Sequence, residues 1–231
     1  MNRFLWKLFP KSQRELLLER LPVIDRQVVS KTLAGKTRFP EVFDELECLF
    51  IHVPKCAGSS VAKALFDGAP AGHLPLYWYE KQFNERYRHY FKFGFVRDPL
   101  QRALSAYHYL LQSTPGRDQA AGELVNKYPS FDAFVDNWLC AENVTRQIHF
   151  APQHYFLQNS LGSLDVDFIG RHENLDADFR TLCAHLHVKG ELPHVNRSAS
   201  RGGSPGTTCS AASRRKVREV YARDYELFAY E

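Results

Sequence analysis

The stretch that most constrains this chain is Leu49 to Leu65, LFIHVPKCAGSSVAKAL. Leu49 to Val53 is a short apolar run with β-branched and aromatic members, which reads as a buried strand. Pro54 and Gly58 mark a tight turn, and Val61, Ala62 and Leu65 then recur at helical spacing. Ser59 and Ser60 are the expected capping hydroxyls. A strand, a loop and a helix start in this order gather backbone N–H groups, hydroxyls and the Lys55 ammonium around one anion. The order differs from a nucleotide-triphosphate loop. That motif sets Gly-Lys-Ser/Thr at the helix start after a longer glycine-rich turn, whereas here Lys55 precedes the glycine.

A second strand–helix junction follows. Phe91 to Val96 reads as another buried strand, and Asp98-Pro99 opens a helix with Asp98 as its cap. Arg97 falls at the carboxyl end of that strand, where open α/β sheets bind ligands. Ser105 lies within the helix, so an Arg and a Ser from one unit can clasp a phosphate. Val166 to Gly170 reads as a third strand, with a helix from about Leu175 to His187 behind it. Strand–helix alternation predicts a parallel sheet flanked by helices. Residues 68–91 read as irregular until Tyr90, residues 113–129 as a polar surface excursion, and Ser213 to Phe228 as one final helix. Residues 1–40 read as an N-terminal helical appendage to a domain spanning 41–231.

Composition narrows the choices. A chain of 231 residues, 44% hydrophobic and 24% charged, suits a globular α/β domain. Its net charge of +4 fits an anionic ligand and is too small to argue for nucleic acid. Five scattered cysteines without a C-x-x-C pair signal neither a zinc knuckle nor a disulfide framework. Reduced thiols in a cytoplasmic protein are the expectation. With no apolar run of about 18 residues, no membrane span is expected. Residues 1–11 carry Phe4, Leu5, Leu8 and Phe9 beside Arg3, Lys7 and Lys11. Packing against the domain is the favoured use of this stretch, and weak peripheral contact with an anionic membrane the other.

The two junctions together carry a resemblance. P-K-x-A-G-S-S after a strand resembles the 5′-phosphosulfate loop of sulfotransferases, with Cys56 where threonine is common. F-V-R-D-P-x-x-R-x-x-S-x-Y over Phe95–Tyr107 resembles their 3′-phosphate motif. The chain is thus similar to the carbohydrate sulfotransferases, including the uronyl and glucosaminyl enzymes, and looks like a soluble, bacterial-type member. The likeness is specific over 48–110 and looser in the pieces 167–175 and 192–198. It implies a P-loop NTPase-like α/β fold and the donor 3′-phosphoadenosine 5′-phosphosulfate (PAPS), with no metal. By position, Lys55, Ala57, Gly58, Ser59 and Ser60 would hold the 5′-phosphosulfate, and Arg97 and Ser105 the 3′-phosphate. Arg197, Ser198, Arg201 and Gly202, in a basic glycine-rich loop, would cover the nucleotide.

Sulfuryl transfer to a hydroxyl asks for in-line attack, a cation near the leaving phosphate and a base of near-neutral pKa. Lys55 is placed for the first charge. His73 is the chosen base, since it stands in Gly72-His73 between the motifs, as related uronyl sulfotransferases have a Gly-His pair. His52 reads as a core histidine, Glu80 as a weaker base. His149, His154, His185 and His187 read as structural or acceptor-side residues. Tyr77, Trp78 and Tyr79 are read either as core or as a surface for sugar rings. A carbohydrate or other hydroxyl compound is the expected partner; its identity and the oligomeric state are not legible. Two other readings stay open: a nucleotide or small-molecule kinase, and a non-catalytic nucleotide-binding protein.

Overall fold

The computed structural model describes residues 6, 8–35, 37–69, 72–113, 116, 118–193 and 209–231. Helices α1 (Lys11–Glu19), α2 (Val23–Ala34) and α3 (Glu41–Glu45) precede strand β1 (Cys48–Ile51). Helices α4 (Gly58–Leu65), α5 (Leu76–Gln82) and α6 (Asn84–His89) lead to β2 (Phe91–Val96). Helices α7 (Pro99–Leu111), α8 (Gln119–Val125), α9 (Phe131–Asn137), α10 (Ala141–Val144) and α11 (His154–Leu157) separate β2 from β3 (Phe168–Arg171). Helix α12 (Leu175–His185) then follows a 3₁₀ turn (His172–Asn174), and α13 (Ala211–Val220) and α14 (Ala222–Leu227) close the chain.

The expected parallel sheet is present. Its order is β1-β2-β3, with Cys48 opposite Phe91, Ile51 opposite Gly94, and Val96 opposite Arg171. All of β1, and β2 after Phe91, are buried, which explains their apolar sequences, interrupted in β2 by the buried Lys92. β3 begins at Phe168 rather than at Val166. The Asp167 carboxylate takes the Lys92 N–H at 2.7 Å, while its own N–H bonds the Lys92 carbonyl.

One apolar core surrounds the sheet and a second lies among α7, α8, α9 and α13. Residues 68–91, read as irregular, contain α5 and α6, because buried aromatic packing outweighs the local Gly and Pro signals. Phe39 sits within 6.4 Å of the Tyr79, Phe83 and Tyr90 rings, all edge-on. Trp78 and Tyr79 are buried, and Tyr77 O–H donates to Asp25. These three aromatics therefore belong to packing. Residues 113–129 likewise hold a helix, α8, that buries Ala121 and Val125. The final helix is broken at Tyr221, whose hydroxyl bonds the Phe150 carbonyl at 2.7 Å.

Ile24 of α2 enters the sheet-side core, and Val23 N–H bonds the Thr145 carbonyl. Leu8, Phe9, Leu16 and Leu17, in contrast, are exposed, and α1 buries none of its residues. No helix of the described residues is long and apolar enough to cross a membrane.

Gly94 lets β2 approach its neighbours. A Cβ there would stand 2.8 Å from Leu157 Cδ2 and 3.1 Å from the Ile51 carbonyl. Gly94→Ala is expected to destabilise the fold by about 1–3 kcal/mol, the usual cost of overpacking. A lower urea midpoint with unchanged slope would verify this.

Candidate active site

All three strands deliver their carboxyl ends to one edge of the sheet, so Lys55 after β1, Arg97 after β2 and His172 after β3 meet there. The β1 loop is bent by two non-glycine residues in the left-handed region, Lys55 at φ 70° and Ala57 at φ 66°. Each costs about 1–2 kcal/mol. Left-handed residues in a turn help gather consecutive N–H groups into an anion-binding concavity.

The expected serine caps are not made. Ala57 occupies the N-cap position of α4 without a side-chain bond, and Ser59 and Ser60 lie in the first turn. Ser59 is exposed, whereas Ser60 is buried. Gly58 is required by space, for a Cβ would lie 1.9 Å from His52 Cδ2.

Lys55 Nζ rests 3.8 Å from the centre of the Tyr109 ring. Burial, with help from Arg97, lowers its pKa to about 8, against the raising influence of Asp118. The ammonium form is thus dominant below pH 8 and is lost as pH rises past it. Burial also lowers the pKa of Arg97, which stays cationic. Among the described residues, the buried Arg97 Nε has no hydrogen-bond partner. Two partly desolvated cations at adjacent strand ends, one with an unsatisfied guanidinium N–H, suit a ligand with two anionic groups.

Helix α7 connects these cations. Asp98 caps it by accepting the Gln101 N–H at 2.8 Å, with Pro99 in its first turn, as expected. Gln101, Ser105 and Tyr109 recur every four residues on its less buried face. Tyr109 touches Lys55, so Ser105 stands one turn back toward Arg97 on the same stripe.

His73 Nδ1 is 2.9 Å from the His52 carbonyl oxygen. A carbonyl only accepts, so Nδ1 carries the proton in this bond and neutral His73 presents Nε2 as its basic nitrogen. The His52 and His73 rings lie 4.3 Å apart. Burial and the neighbouring His73 push the His52 pKa down to about 3, so His52 is neutral at ordinary pH. It also stacks on Phe50, 5.6 Å away, as a packed core side chain. Glu80 instead accepts the Ser160 N–H, at 2.7 Å. His185 stacks on Phe91, and His154 Nδ1 pairs with buried Asp224 at 2.6 Å. Arg197, Ser198, Arg201 and Gly202 lie outside the described residues.

Sequence reasoning missed the residue that braces the site. Gln153 is fully buried. Its Oε1 accepts the Arg97 N–H at 2.9 Å and the Cys56 thiol at 3.2 Å, and its Nε2 donates to the Arg97 carbonyl at 2.8 Å. Asp224 then holds the Gln153 and His154 N–H groups at 2.8 and 3.0 Å. Buried Arg102 donates to the carbonyls of His149, Phe150 and Ala151 and fastens the turn before Gln153. On the β3 side, Glu173 accepts the Asp98 N–H and the Tyr230 hydroxyl. The motif arginine at 102 therefore builds the scaffold, while the arginine at 97 stands at the carboxyl end of β2.

A model of the sulfotransferase family matches residues 74–231. The chain belongs to the sulfotransferase family. The matched segment contains the Arg97–Ser105 motif and begins after the Lys55 loop. Carbohydrate sulfotransferase 14 of Homo sapiens is 32% identical over 174 residues, covering 65% of this chain and 45% of that protein. Its Mus musculus counterpart is 30% identical with the same coverage. Carbohydrate sulfotransferase 10 of Danio rerio is 23% identical across 99% of this chain and 71% of that protein. The chain thus spans less than half the length of the carbohydrate sulfotransferase 14 proteins it matches. No solved structure matches it.

Replacing Gln153 tests the brace. Gln153→Ala removes bonds to both polar groups of the Arg97 backbone and is expected to cost about 2–4 kcal/mol, as buried groups are left unsatisfied. Thermal unfolding should shift down accordingly.

Proposed function

We propose that this protein transfers a sulfuryl group from PAPS to a hydroxyl of a carbohydrate-type acceptor. The observation that carries this reading is the placement of Lys55 and Arg97 on adjacent parallel strand ends, joined by the Ser105–Tyr109 face of α7, in a chain of the sulfotransferase family. The names of the relatives support a carbohydrate acceptor. The strand–loop–helix at β1 and α4 supports a P-loop-like arrangement of the sheet.

The residues fit such a donor. The Arg97 guanidinium has a buried N–H to spare among the described residues, and Gly58 lets the start of α4 pack against the His52 ring behind the loop. Lys55 and the chain from Ala57 to Ser60 would hold the 5′ side, and Arg97 and Ser105 the 3′-phosphate. Arg197, Ser198, Arg201 and Gly202 complete the proposal as a cover. The donor, when bound, supplies a sulfuryl group joined to a phosphate that departs as an anion.

Lys55 offsets the negative charge that builds on the leaving oxygen, an effect strengthened by its dry surroundings. The start of α4 adds N–H groups and the positive end of the helix dipole. His73 Nε2 takes the proton of the attacking hydroxyl, while Nδ1–H stays tied to the His52 carbonyl and holds the ring in place. The kinase reading lacks support from the family match.

Calorimetric titration with adenosine 3′,5′-bisphosphate tests the donor class, with AMP and ATP as controls. Binding should need the 3′-phosphate and weaken by roughly 10- to 100-fold in Arg97→Ala, the range for a lost charge-assisted contact. It should also fade as pH rises past about 8, where Lys55 loses its proton. Preferential binding of ATP with magnesium would overturn the proposal. For the base, His73→Ala is expected to keep product affinity and lower kcat by roughly 10²–10⁴-fold. Unchanged turnover would remove His73 from the mechanism.

A further inference from the structure

Tyr109, Asp118 and His149 form a hydrogen-bonded set that neither sequence motif contains. Tyr109 O–H donates to Asp118 Oδ2 at 2.8 Å. His149 Nε2 lies 3.1 Å from the other oxygen, Oδ1. A carboxylate only accepts, so Nε2 is the protonated nitrogen of His149. The Tyr109 and His149 rings are 5.4 Å apart, and His149 is itself fixed through its carbonyl by Arg102. The set is therefore anchored to the buried scaffold at one end and meets Lys55 at the other.

Lys55 needs such an anchor. Its side chain is a flexible four-carbon stem ending in a point charge, without the fixed fork of an arginine. The ring of Tyr109, 3.8 Å from Nζ, is the surface on which that charge rests. We infer that Tyr109 and Asp118 are positioning residues for Lys55: Asp118 fixes the tyrosine through its hydroxyl, and the ring face seats the ammonium beside the anion loop. The inference rests on reading Lys55 as the donor's cationic contact.

The charges around Lys55 agree with this role. Arg97 opposes its ammonium form, while Asp118 favours it; burial pushes the Cys56 thiol up to about 12, so it stays uncharged there. Burial pushes the His149 pKa below its ordinary value, although Asp118 pulls the other way, so the imidazole is largely uncharged at neutral pH. Asp118 is thus the carboxylate among these groups that supports the lysine's charge. It does so through space while its two oxygens are occupied by Tyr109 and His149.

The test follows Lys55 directly. Protein carrying ¹³Cε-lysine is titrated by NMR across the neutral and alkaline range, with the Lys55 signal assigned by its loss in Lys55→Arg. The wild-type midpoint should lie near 8. Asp118→Asn should move it to lower pH, and Asp118→Glu should bring it back toward the wild type. Tyr109→Phe keeps the ring but frees Asp118 from it, and should give an intermediate shift. A Lys55 midpoint unmoved in both Asp118→Asn and Tyr109→Phe overturns the inference, whatever ligand binds. In parallel, adenosine 3′,5′-bisphosphate should bind roughly two- to fivefold more weakly to Tyr109→Leu, the scale of a cation–π contact on an exposed ring, while Tyr109→Phe keeps most of its affinity. Equal affinity in Tyr109→Leu would also count against the inference. Failure of the wild type to bind would overturn the donor reading instead, and the NMR midpoints would still decide the role of Asp118.

Discussion

Gln153 meets the peptide groups of Arg97 with both ends of one side-chain amide. The end of a parallel strand leaves an N–H and a C=O without a ladder partner, and buried groups of that kind must be satisfied. The same Oε1 also receives the Cys56 thiol, so one amide joins the β1 loop to the β2 terminus. Asp224 fixes the main chain of Gln153, Arg102 fastens the preceding turn, and Tyr221 secures Phe150. The cleft is held from behind by a chain of such bonds that begins in the last helices of the sequence.

Electrostatics follows from that scaffold. Arg102 is fully buried, and it is tolerated because three carbonyls surround it and the Tyr221 ring lies 5.5 Å from its guanidinium carbon. Arg97, five residues earlier, shares with Arg102 a buried Nε without a partner among the described residues, but no carbonyl among them accepts from its guanidinium. Lys55 is held by an aromatic face, and no ion pair holds it among the described residues. A tight ion pair there would have neutralised the charge that an anionic ligand needs. The arrangement keeps positive charge available at one edge of the sheet, with its desolvation offset elsewhere in the fold.

Much of this was legible in the sequence for local reasons. β1, β2 and the cap at Asp98 follow from residue types within a few positions of each other, and the parallel sheet follows from their alternation with helices. The pairing of Lys55 with Arg97 was legible because each stands at a strand end. Gln153 was not, since its Arg97 partners are backbone atoms 56 residues away and its side-chain partner, the Cys56 thiol, lies 97 residues away. Asp118 was hidden in a polar stretch read as surface, and its role depends on a turn at His149 that only Arg102 explains. The serine caps failed because the N-cap is the left-handed Ala57, an unfavourable conformation for alanine, two residues before Ser59 and three before Ser60. Only the spacing of Tyr109, four residues after Ser105, offered a clue to the residue facing Lys55.

The grip on position 97 has an evolutionary consequence. Gln153 reads main-chain atoms that every residue except proline presents in the same way. The scaffold is therefore indifferent to the side chain it carries at that position. A lineage could exchange Arg97 for a neutral or acidic residue and redirect the cleft toward another nucleotide without rebuilding the strand terminus. Position 56 has no such freedom, because there the same amide is met by a side chain, the thiol of Cys56. Two neighbouring positions in one site thus differ in how far they can drift, one open to new specificity and the other tied to the frame.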